Sequence, residues 1–218
     1  YDRDVSIFMS EIVVPNLPPP YSALAHSMGA NILIRNAHDE LSPFERMIFT
    51  SPMIAIHPAQ LGVSQRVARI YAETACMAGL SGTFVRGGKE MPKEFGDFET
   101  NDLTSDEVRW SRTRAVLEAA PELALGSPTA GWFRSALRSC ALLQRPDFPK
   151  YIAVPMLVFA AGSDRIVSTP AIEDFAVELK VGSVILMPGS KHEILMENDA
   201  IRQRFWAAFD AYMEGTVT

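Results

Sequence analysis

Apolar residues recur along this chain with two different periods, and these periods predict strands that alternate with helices. Apolar residues spaced three and four positions apart predict amphipathic helices over 5–14 and 28–39, after Pro170, and around Phe205 near the carboxyl terminus. Short runs that are apolar on both faces predict buried parallel strands at 21–26, 46–50, 154–160 and 183–187. Strands and helices in alternation are typical of an α/β protein built on a parallel sheet.

Prolines and a capping residue set the predicted ends of two helices. Pro15 and the run 18–20 are expected to end the first helix, since proline restricts the backbone before it, and to give an extended approach to the first strand. Thr169 is expected to cap the helix that Pro170 begins.

The alternation stops between residues 53 and 150. This span contains much glycine, proline and charge, and its amphipathic pieces are short, at 65–78, 105–119 and 129–143. An insertion of this size between two sheet strands predicts a helical cap. We therefore predict three parts, which are the first part of the core at 1–52, the cap at 53–150, and the second part of the core at 151–218.

Composition excludes several classes of protein. The chain has 218 residues, 48% of them hydrophobic, which is enough for one substantial core. Its net charge is −6 and it has no long basic run, so nucleic acid is not the expected partner. No apolar run approaches the ~20 residues of a membrane-spanning helix. Cys76 and Cys140 lack the spacing of a zinc site or a redox pair, and we predict reduced thiols in a cytoplasmic protein.

A serine between small residues follows the first predicted strand directly. In Ala25-His26-Ser27-Met28-Gly29, the strand runs into Ser27 and a helix begins just after it. This is the layout of a nucleophile elbow, the sharp turn that exposes a serine hydroxyl at the end of a parallel strand. Ala25 stands where the usual pattern has glycine, so the match is a relaxed one.

An acid and a histidine follow in the order that such a serine requires. Asp164 comes where the strand 154–160 ends, and His192 lies in the loop after the strand 183–187. A nucleophilic serine needs a base to remove its proton and a carboxylate to orient that base. Each residue also has an ordinary explanation, since Ser27 could be a small packing residue, Asp164 a turn residue and His192 an exposed loop residue. Their joint order at three strand ends favours catalysis.

Other histidines and acids are assigned structural roles. His26 is interpreted as a packing residue, because a base must approach the serine from another strand, and His38 as a solvated residue at a helix end. Glu193 and Glu197 are expected on the helix that follows the catalytic histidine. Asp174 is a weaker substitute for the catalytic acid, because it falls inside a predicted helix.

At this point the chain resembles the α/β-hydrolase superfamily, most closely its lysophospholipase and monoacylglycerol-lipase branch, which is grouped with serine aminopeptidases of the S33 type. The resemblance covers nearly all of the chain. It rests on AHSMG at 25–29, GSDRIV at 162–167, GSKHEILMENDAIR at 189–202, and the cap sequences NDLTSD at 101–106 and PELALGSPTAGWFRSAL at 121–137.

The resemblance implies a parallel-sheet α/β-hydrolase core with a helical cap insertion. It implies that Ser27 is the nucleophile, His192 the general base and then acid, and Asp164 the orienting carboxylate. The backbone N–H of Met28 would be one oxyanion donor. The implied reaction is hydrolysis of a carboxylic ester through an acyl-enzyme, with a small single-acyl lipid as substrate. No metal and no organic cofactor is implied.

The chain departs from the family pattern at its start. Members of the family have strands and helices before the elbow, including an HG-type loop that donates a second oxyanion N–H. Nothing of this kind precedes Tyr1, so the N-terminal strands, on the order of 100 residues, are expected to be missing. The elbow strand would then be an exposed edge, and we expect the isolated chain to be poorly soluble or inactive.

The substrate and its pocket are less well determined by the sequence. Trp132 and Phe133 are candidate substrate-binding residues, with Trp110, Phe84 and Leu137 as further candidates for an acyl pocket; the alternative is that these side chains form the core of the cap. Peripheral contact of the cap with the inner face of a membrane is left open, as is the oligomeric state.

Two rival functions stay open. The first is an aminopeptidase of the proline-iminopeptidase type on the same scaffold, which needs an acidic pocket for the substrate amine. The second is a non-catalytic binding protein that kept the fold. The candidate acids for the first rival are Glu90, Glu94, Asp97 and Glu99.

Overall fold

One parallel sheet organises the fold. The computed structural model describes residues 1–38, 42–88, 90 and 95–215. Within these residues the strands are β1 (Tyr21–His26), β2 (Phe44–Thr50), β3 (Met156–Ala161) and β4 (Gly182–Met187), in the spatial order β1-β2-β3-β4. The pairing is parallel throughout, so all carboxyl ends meet at one edge of the sheet. The predicted α/β class is confirmed.

Helices occupy the predicted intervals between and after the strands. The helices of the core are α1 (Asp2–Phe8), α2 (Val14–Asn16), α3 (Ser27–Ala37), α8 (Thr169–Val177) and α9 (Asp199–Glu214), with a π-helical segment, Met9–Val13, joining the first two. The helices between β2 and β3 are α4 (Pro58–Leu61), α5 (Gln65–Met77), α6 (Glu107–Ala119) and α7 (Ala130–Leu143). Single 3₁₀ turns occur at Phe98–Thr100, Pro121–Leu123, Phe148–Tyr151 and Ile194–Met196.

The sheet is covered on both faces. Successive side chains of a strand point to opposite faces. Val158 of β3 therefore packs with Ile34 of α3 and Ile172 of α8 on one face, whereas Phe159 packs with Phe205 of α9 on the other. This double cover explains why β3 is apolar at every position and β2 at the successive positions 47–49.

The helix α7 joins the predicted cap to the core. Its Leu137 packs with Ala68 and Ala72 of α5, while its Cys140 and Leu143 belong to the buried cluster against the sheet. All three pieces predicted in this span are helical, as α5, α6 and α7, but α6 lacks the apolar face that the prediction gave it and buries Trp110 among its residues. The boundaries 53–150 for a separate cap stay a prediction.

Several local predictions need correction. The cap of α8 is Ser168, whose Oγ accepts the N–H of Ala171, whereas the Thr169 hydroxyl donates to the Ala161 carbonyl. His38 is not a freely solvated residue, because its ring stacks on Phe148 with ring centroids 4.3 Å apart.

The elements before the elbow also differ from the prediction. The first helix begins at Asp2. Among the described residues of this helix and of the π-helical segment that continues it, Met9 is the buried one. The helical structure continues through Pro15 to Asn16, because proline is tolerated in the first turn of a helical segment. The strand β1 forms one edge of the described sheet, and Leu24 on it is 44% exposed. Among the described residues, no helix has both the length and the apolar character needed to cross a bilayer.

Candidate active site

Ser27 lies at a sharp turn between β1 and α3. His26 is extended with φ −119°, while Ser27 has φ +51°, the left-handed conformation that residues other than glycine rarely adopt. A Cβ placed at Gly29 would lie 3.8 Å from the Ala25 Cβ, an ordinary contact distance, so alanine is compatible with this elbow.

Hydrogen bonds hold the elbow against the chain that follows β2. The N–H of Met53 donates to the Ser27 carbonyl at 3.0 Å, and the Asn31 amide donates to the Met53 carbonyl at 2.7 Å. Ser139 of α7 in turn donates to the Asn31 side-chain oxygen at 2.5 Å. Asn31 is buried, and its amide and carbonyl are both satisfied. The strained backbone at Ser27 is therefore fixed by its surroundings.

A continuous chain of hydrogen bonds joins the three predicted residues. The Nε2 of His192 is 3.0 Å from the Ser27 Oγ, and its Nδ1 is 2.8 Å from the Asp164 Oδ2. Because a carboxylate only accepts, Nδ1 carries the proton in the neutral ring and Nε2 is free to accept one. Ser27 is half-buried, whereas the Asp164 side chain has no exposed surface. The structure thus brings together residues far apart in the sequence.

The loop after β3 holds the Asp164 carboxylate in place. Its Oδ1 accepts the N–H groups of Ile166 at 2.7 Å and Val167 at 3.0 Å, which leaves Oδ2 for His192. Three hydrogen bonds fix the orientation of this buried side chain. Asp174, the weaker candidate, lies exposed on α8.

The loop that carries His192 is anchored to the neighbouring strand ends. The N–H of Gly162 donates to the Met187 carbonyl at 2.9 Å, and a Cβ at Gly162 would lie 3.1 Å from that oxygen, so this close approach favours glycine. The Ser51 hydroxyl donates to the His192 carbonyl at 2.8 Å. Ser51 is itself fully buried with φ +45°, and no motif in the sequence marks it as part of the site.

His26 contacts the site from beside the nucleophile. Its Nδ1 lies 3.0 Å from both the carbonyl oxygen and the hydroxyl of Thr50, and its ring centroid is 4.6 Å from that of His192. Burial, followed by the nearby His192, lowers the pKa of His26 to about 4. The ring is therefore neutral at physiological pH and adds no positive charge beside the candidate base. It has no direct bond to Ser27 among those of the described residues, in keeping with its interpretation as a packing residue.

Glu197 is a site residue that sequence reasoning missed. It was expected on the helix after His192, but α9 begins at Asp199 with Asn198 as its cap. Glu197 instead lies before that helix with no exposed surface, and its carboxylate binds the backbone N–H of Lys191, the residue before His192. A carboxylate in a short polar stretch next to a helix cap has no sequence signal that distinguishes it from a solvated one.

The substrate-binding candidates have different surroundings. The indole N–H of Trp132, near the start of α7, donates to the Met28 Sδ at 3.3 Å, so this side chain contacts the residue after Ser27. Phe133 packs with Leu137 in the cluster between α5 and α7. Met28 is the second residue of α3, and the first N–H groups of a helix have no partner within it. This amide is therefore available as an oxyanion donor.

The parallel sheet, the helices on its two faces and the site at its carboxyl edge together have the arrangement of the α/β-hydrolase fold. A soluble variant of monoglyceride lipase from Saccharomyces cerevisiae, solved with a substrate analog, superposes with a TM-score of 0.71 at 18% identity, over 98% of this chain and 67% of that chain. A monoacylglycerol lipase from Paleococcus ferrophilus gives a TM-score of 0.70 at 15% identity, over 97% of this chain and 73% of that chain. At these identities the likeness concerns the fold alone.

The sequence pattern of the family described as serine aminopeptidase, S33, matches residues 1–199. The chain belongs to this family, which confirms the resemblance drawn from its motifs. Over 183 residues it is 25% identical to a Haemophilus influenzae protein described as "Probable lysophospholipase L2". The match covers 83% of this chain and 55% of that protein, so the chain spans about half the length of this curated relative.

Proposed function

We propose that the protein is a serine hydrolase that cleaves the carboxylic ester of a single-acyl lipid, a lysophospholipid or a monoacylglycerol, through an acyl-enzyme. The observation that carries the proposal is the hydrogen-bonded chain from Ser27 through His192 to Asp164. The substrate class is supported by the lysophospholipase among its relatives and by the monoglyceride lipases among the proteins of the same fold.

In the first half of the reaction, the Ser27 Oγ attacks the ester carbonyl carbon while its proton moves to the His192 Nε2. The buried Asp164 carboxylate stabilises the imidazolium that forms. The carbonyl oxygen gains the negative charge and accepts a hydrogen bond from the Met28 N–H. The bond to the alcohol oxygen then breaks, and this oxygen takes the proton from Nε2 as the alcohol leaves.

In the second half, water replaces the alcohol. His192 removes a proton from the water as its oxygen attacks the acyl carbon. The bond from that carbon to the Ser27 Oγ breaks, and Oγ recovers the proton from Nε2. The products are a fatty acid and the free enzyme, and His192 serves as base and acid in each half.

The aminopeptidase alternative has weaker support in the described residues. A substrate amine would need a carboxylate sheltered from water, because exposed charge pairs contribute little. Glu90, Asp97 and Glu99 are exposed, and Glu94 lies outside the described residues. These surroundings favour an ester over a peptide as substrate.

One experiment tests the proposal against both rivals. A fluorophosphonate probe is expected to label Ser27 in the polypeptide expressed from the whole reading frame that contains these residues, and Ser27→Ala is expected to abolish the label. A panel of monoacylglycerols, lysophospholipids and chromogenic Pro and Ala amides then distinguishes the substrates. Release of proline or alanine without fatty acid would favour the aminopeptidase, and absence of both labelling and turnover would favour a non-catalytic protein.

We also propose that these 218 residues, expressed alone, are impaired. The exposed Leu24 and the edge position of β1 support this, since an unpaired apolar strand edge promotes aggregation. A soluble 218-residue polypeptide that hydrolyses short-chain esters as fast as the polypeptide expressed from the whole reading frame would contradict this.

Contact with a lipid surface is proposed for the outer face of α5. Val67, Ile70 and Met77 on this helix are 50%, 60% and 86% exposed, and Arg66 and Arg69 are exposed beside them. Apolar side chains flanked by cations favour the interface of anionic bilayers. Ile70→Glu is expected to reduce sedimentation of the protein with phosphatidylglycerol vesicles without changing turnover of a dispersed short-chain ester.

A further inference from the structure

A buried carboxylate connects the loop that carries His192 to the cap. The Glu197 side chain is fully enclosed, and its two oxygens face different parts of the chain. Its Oε1 accepts the backbone N–H of Lys191 at 2.7 Å, whereas its Oε2 accepts the N–H of Ser105 at 3.1 Å and the Ser105 hydroxyl. Three donors compensate for the loss of water around this charge, and two of them are backbone groups that can only donate.

Further bonds join the same two segments, which we name the His192 loop (residues 189–198) and the cap segment (residues 101–106). The Glu193 N–H donates to the Leu103 carbonyl at 2.8 Å, and the Thr104 hydroxyl donates to the Met196 carbonyl at 2.7 Å. The Lys191 ammonium donates to the Asn101 carbonyl at 2.7 Å. The His192 loop therefore rests on the cap segment along its length, and the Glu197 carboxylate takes part in these contacts.

We propose that Glu197 is a positioning residue for the reaction, which it serves by fixing the backbone N–H of Lys191, the residue before His192, against the cap segment. The inference rests on the proposed function, because Glu197 acts only through His192. The Ser51 hydroxyl holds the carbonyl of His192 on the other side, so the backbone on both sides of the imidazole is restrained. Nε2 is thereby kept at hydrogen-bond distance from Ser27.

The test replaces each partner in the full-length polypeptide. In Glu197→Gln, one acceptor oxygen becomes an NH₂ group, which must face a backbone N–H whichever way the amide turns. Ser105→Ala removes only the hydroxyl donor from the cap side. Glu118→Gln and Ser111→Ala, at exposed positions on α6, are the matched controls. The measurements are kcat and KM for a short-chain ester, the rate and final extent of Ser27 labelling by a fluorophosphonate, and the melting temperature.

A displaced base slows chemistry without preventing substrate binding. Glu197→Gln is expected to lower kcat and the labelling rate by about 10- to 100-fold, with KM little changed and nearly every molecule labelled in the end. Ser105→Ala is expected to show a smaller loss of the same kind. The double variant, Glu197→Gln with Ser105→Ala, is expected to lose less than the product of the two single losses, because both substitutions act on one contact. The controls are expected to match the parent protein.

A merely structural role has a different signature. If Glu197→Gln lowers the melting temperature or the labelled fraction but the molecules that react do so at the parent rate, the inference is overturned. If this variant does not fold, an unchanged labelling rate in Ser105→Ala overturns it. Labelling that slows in both variants supports it even if no lipid ester is turned over, in which case only the proposed substrate is wrong. A parent protein that is never labelled at Ser27 overturns the proposed function and this inference together.

Discussion

The indole N–H of Trp132 points at the sulfur of Met28, with 3.3 Å between nitrogen and sulfur. A side chain of the predicted cap is thereby fixed on the residue whose backbone N–H is the proposed oxyanion donor. Phe133, the next residue, packs instead between α5 and α7. The two aromatic residues that the sequence suggested for substrate binding therefore have different roles in the fold.

Trp132→Phe is expected to lower kcat by about 2- to 10-fold, because it keeps a ring but removes the hydrogen bond to Met28, which is worth about 0.5–1.5 kcal/mol. The loss should be equal for esters of short and long acyl chains. Steady-state kinetics over a series of acyl lengths measures this, with Trp206→Phe on α9 as a control. A loss that grows with acyl length would show that Trp132 lines the acyl pocket instead.

Asp164→Asn is expected to lower kcat on the order of 10³- to 10⁴-fold near neutral pH, because an asparagine no longer fixes the imidazole tautomer in which Nε2 is free. Asp174→Asn, at the exposed position on α8, is the matched control and should retain full activity. The comparison needs only ester turnover and circular dichroism of both variants. Equal losses in the two would contradict the assignment of the acid.

Ser27→Gly and Ser27→Ala are both expected to abolish labelling and turnover, but they should differ in stability. The left-handed backbone at this position, φ +51°, costs an alanine about 1–2 kcal/mol more than a glycine, which has no Cβ. We expect the free energy of unfolding of Ser27→Gly to exceed that of Ser27→Ala by about 0.5–1 kcal/mol, after the greater entropy of the unfolded glycine chain is subtracted. Ser27→Gly should therefore unfold at the higher urea concentration. A glycine variant that is the less stable of the two would show that the turn is unstrained.

His26 is expected to make stability depend on pH. Its pKa is about 4 in the folded protein and 6.5 in an ordinary setting, so between these values the unfolded chain binds a proton that the folded protein does not. The contribution of His26 to the free energy of unfolding should therefore be greatest above pH 6.5 and should fall as the pH drops toward 4. For a partly enclosed ring, we expect this loss to be about 1–2 kcal/mol.

The measurement is urea unfolding at several values of pH for the parent protein and for His26→Asn, which can still bond to Thr50 but does not titrate. The difference in slope between the two isolates the histidine from the carboxylates that also titrate there. Parallel curves would contradict the expectation.

Much of the core could be predicted from the sequence, because the buried positions of a strand or helix are apolar and recur with the period of that element. β3 is apolar at every position, since helices cover both of its faces, and its predicted and observed bounds differ by two residues at the start and one at the end. Pro170 and the apolar spacing after it located α8, although the neighbour Ser168 rather than Thr169 is the cap. Serine and threonine are both preferred caps, and the course of the backbone decides which of the two neighbours takes that position.

What the sequence by itself determined is the order of local elements and the choice of Ser27, Asp164 and His192 as candidates, because each follows a strand and the carboxyl ends of parallel strands meet at one edge. Only the tertiary structure decided how these groups are held. Glu197 and Ser105 are 92 positions apart, and Trp132 and Met28 are 104 apart. Such contacts depend on how the chain between the two residues folds back onto the sheet. No periodicity or local motif in the sequence shows which distant residues are brought together in this way.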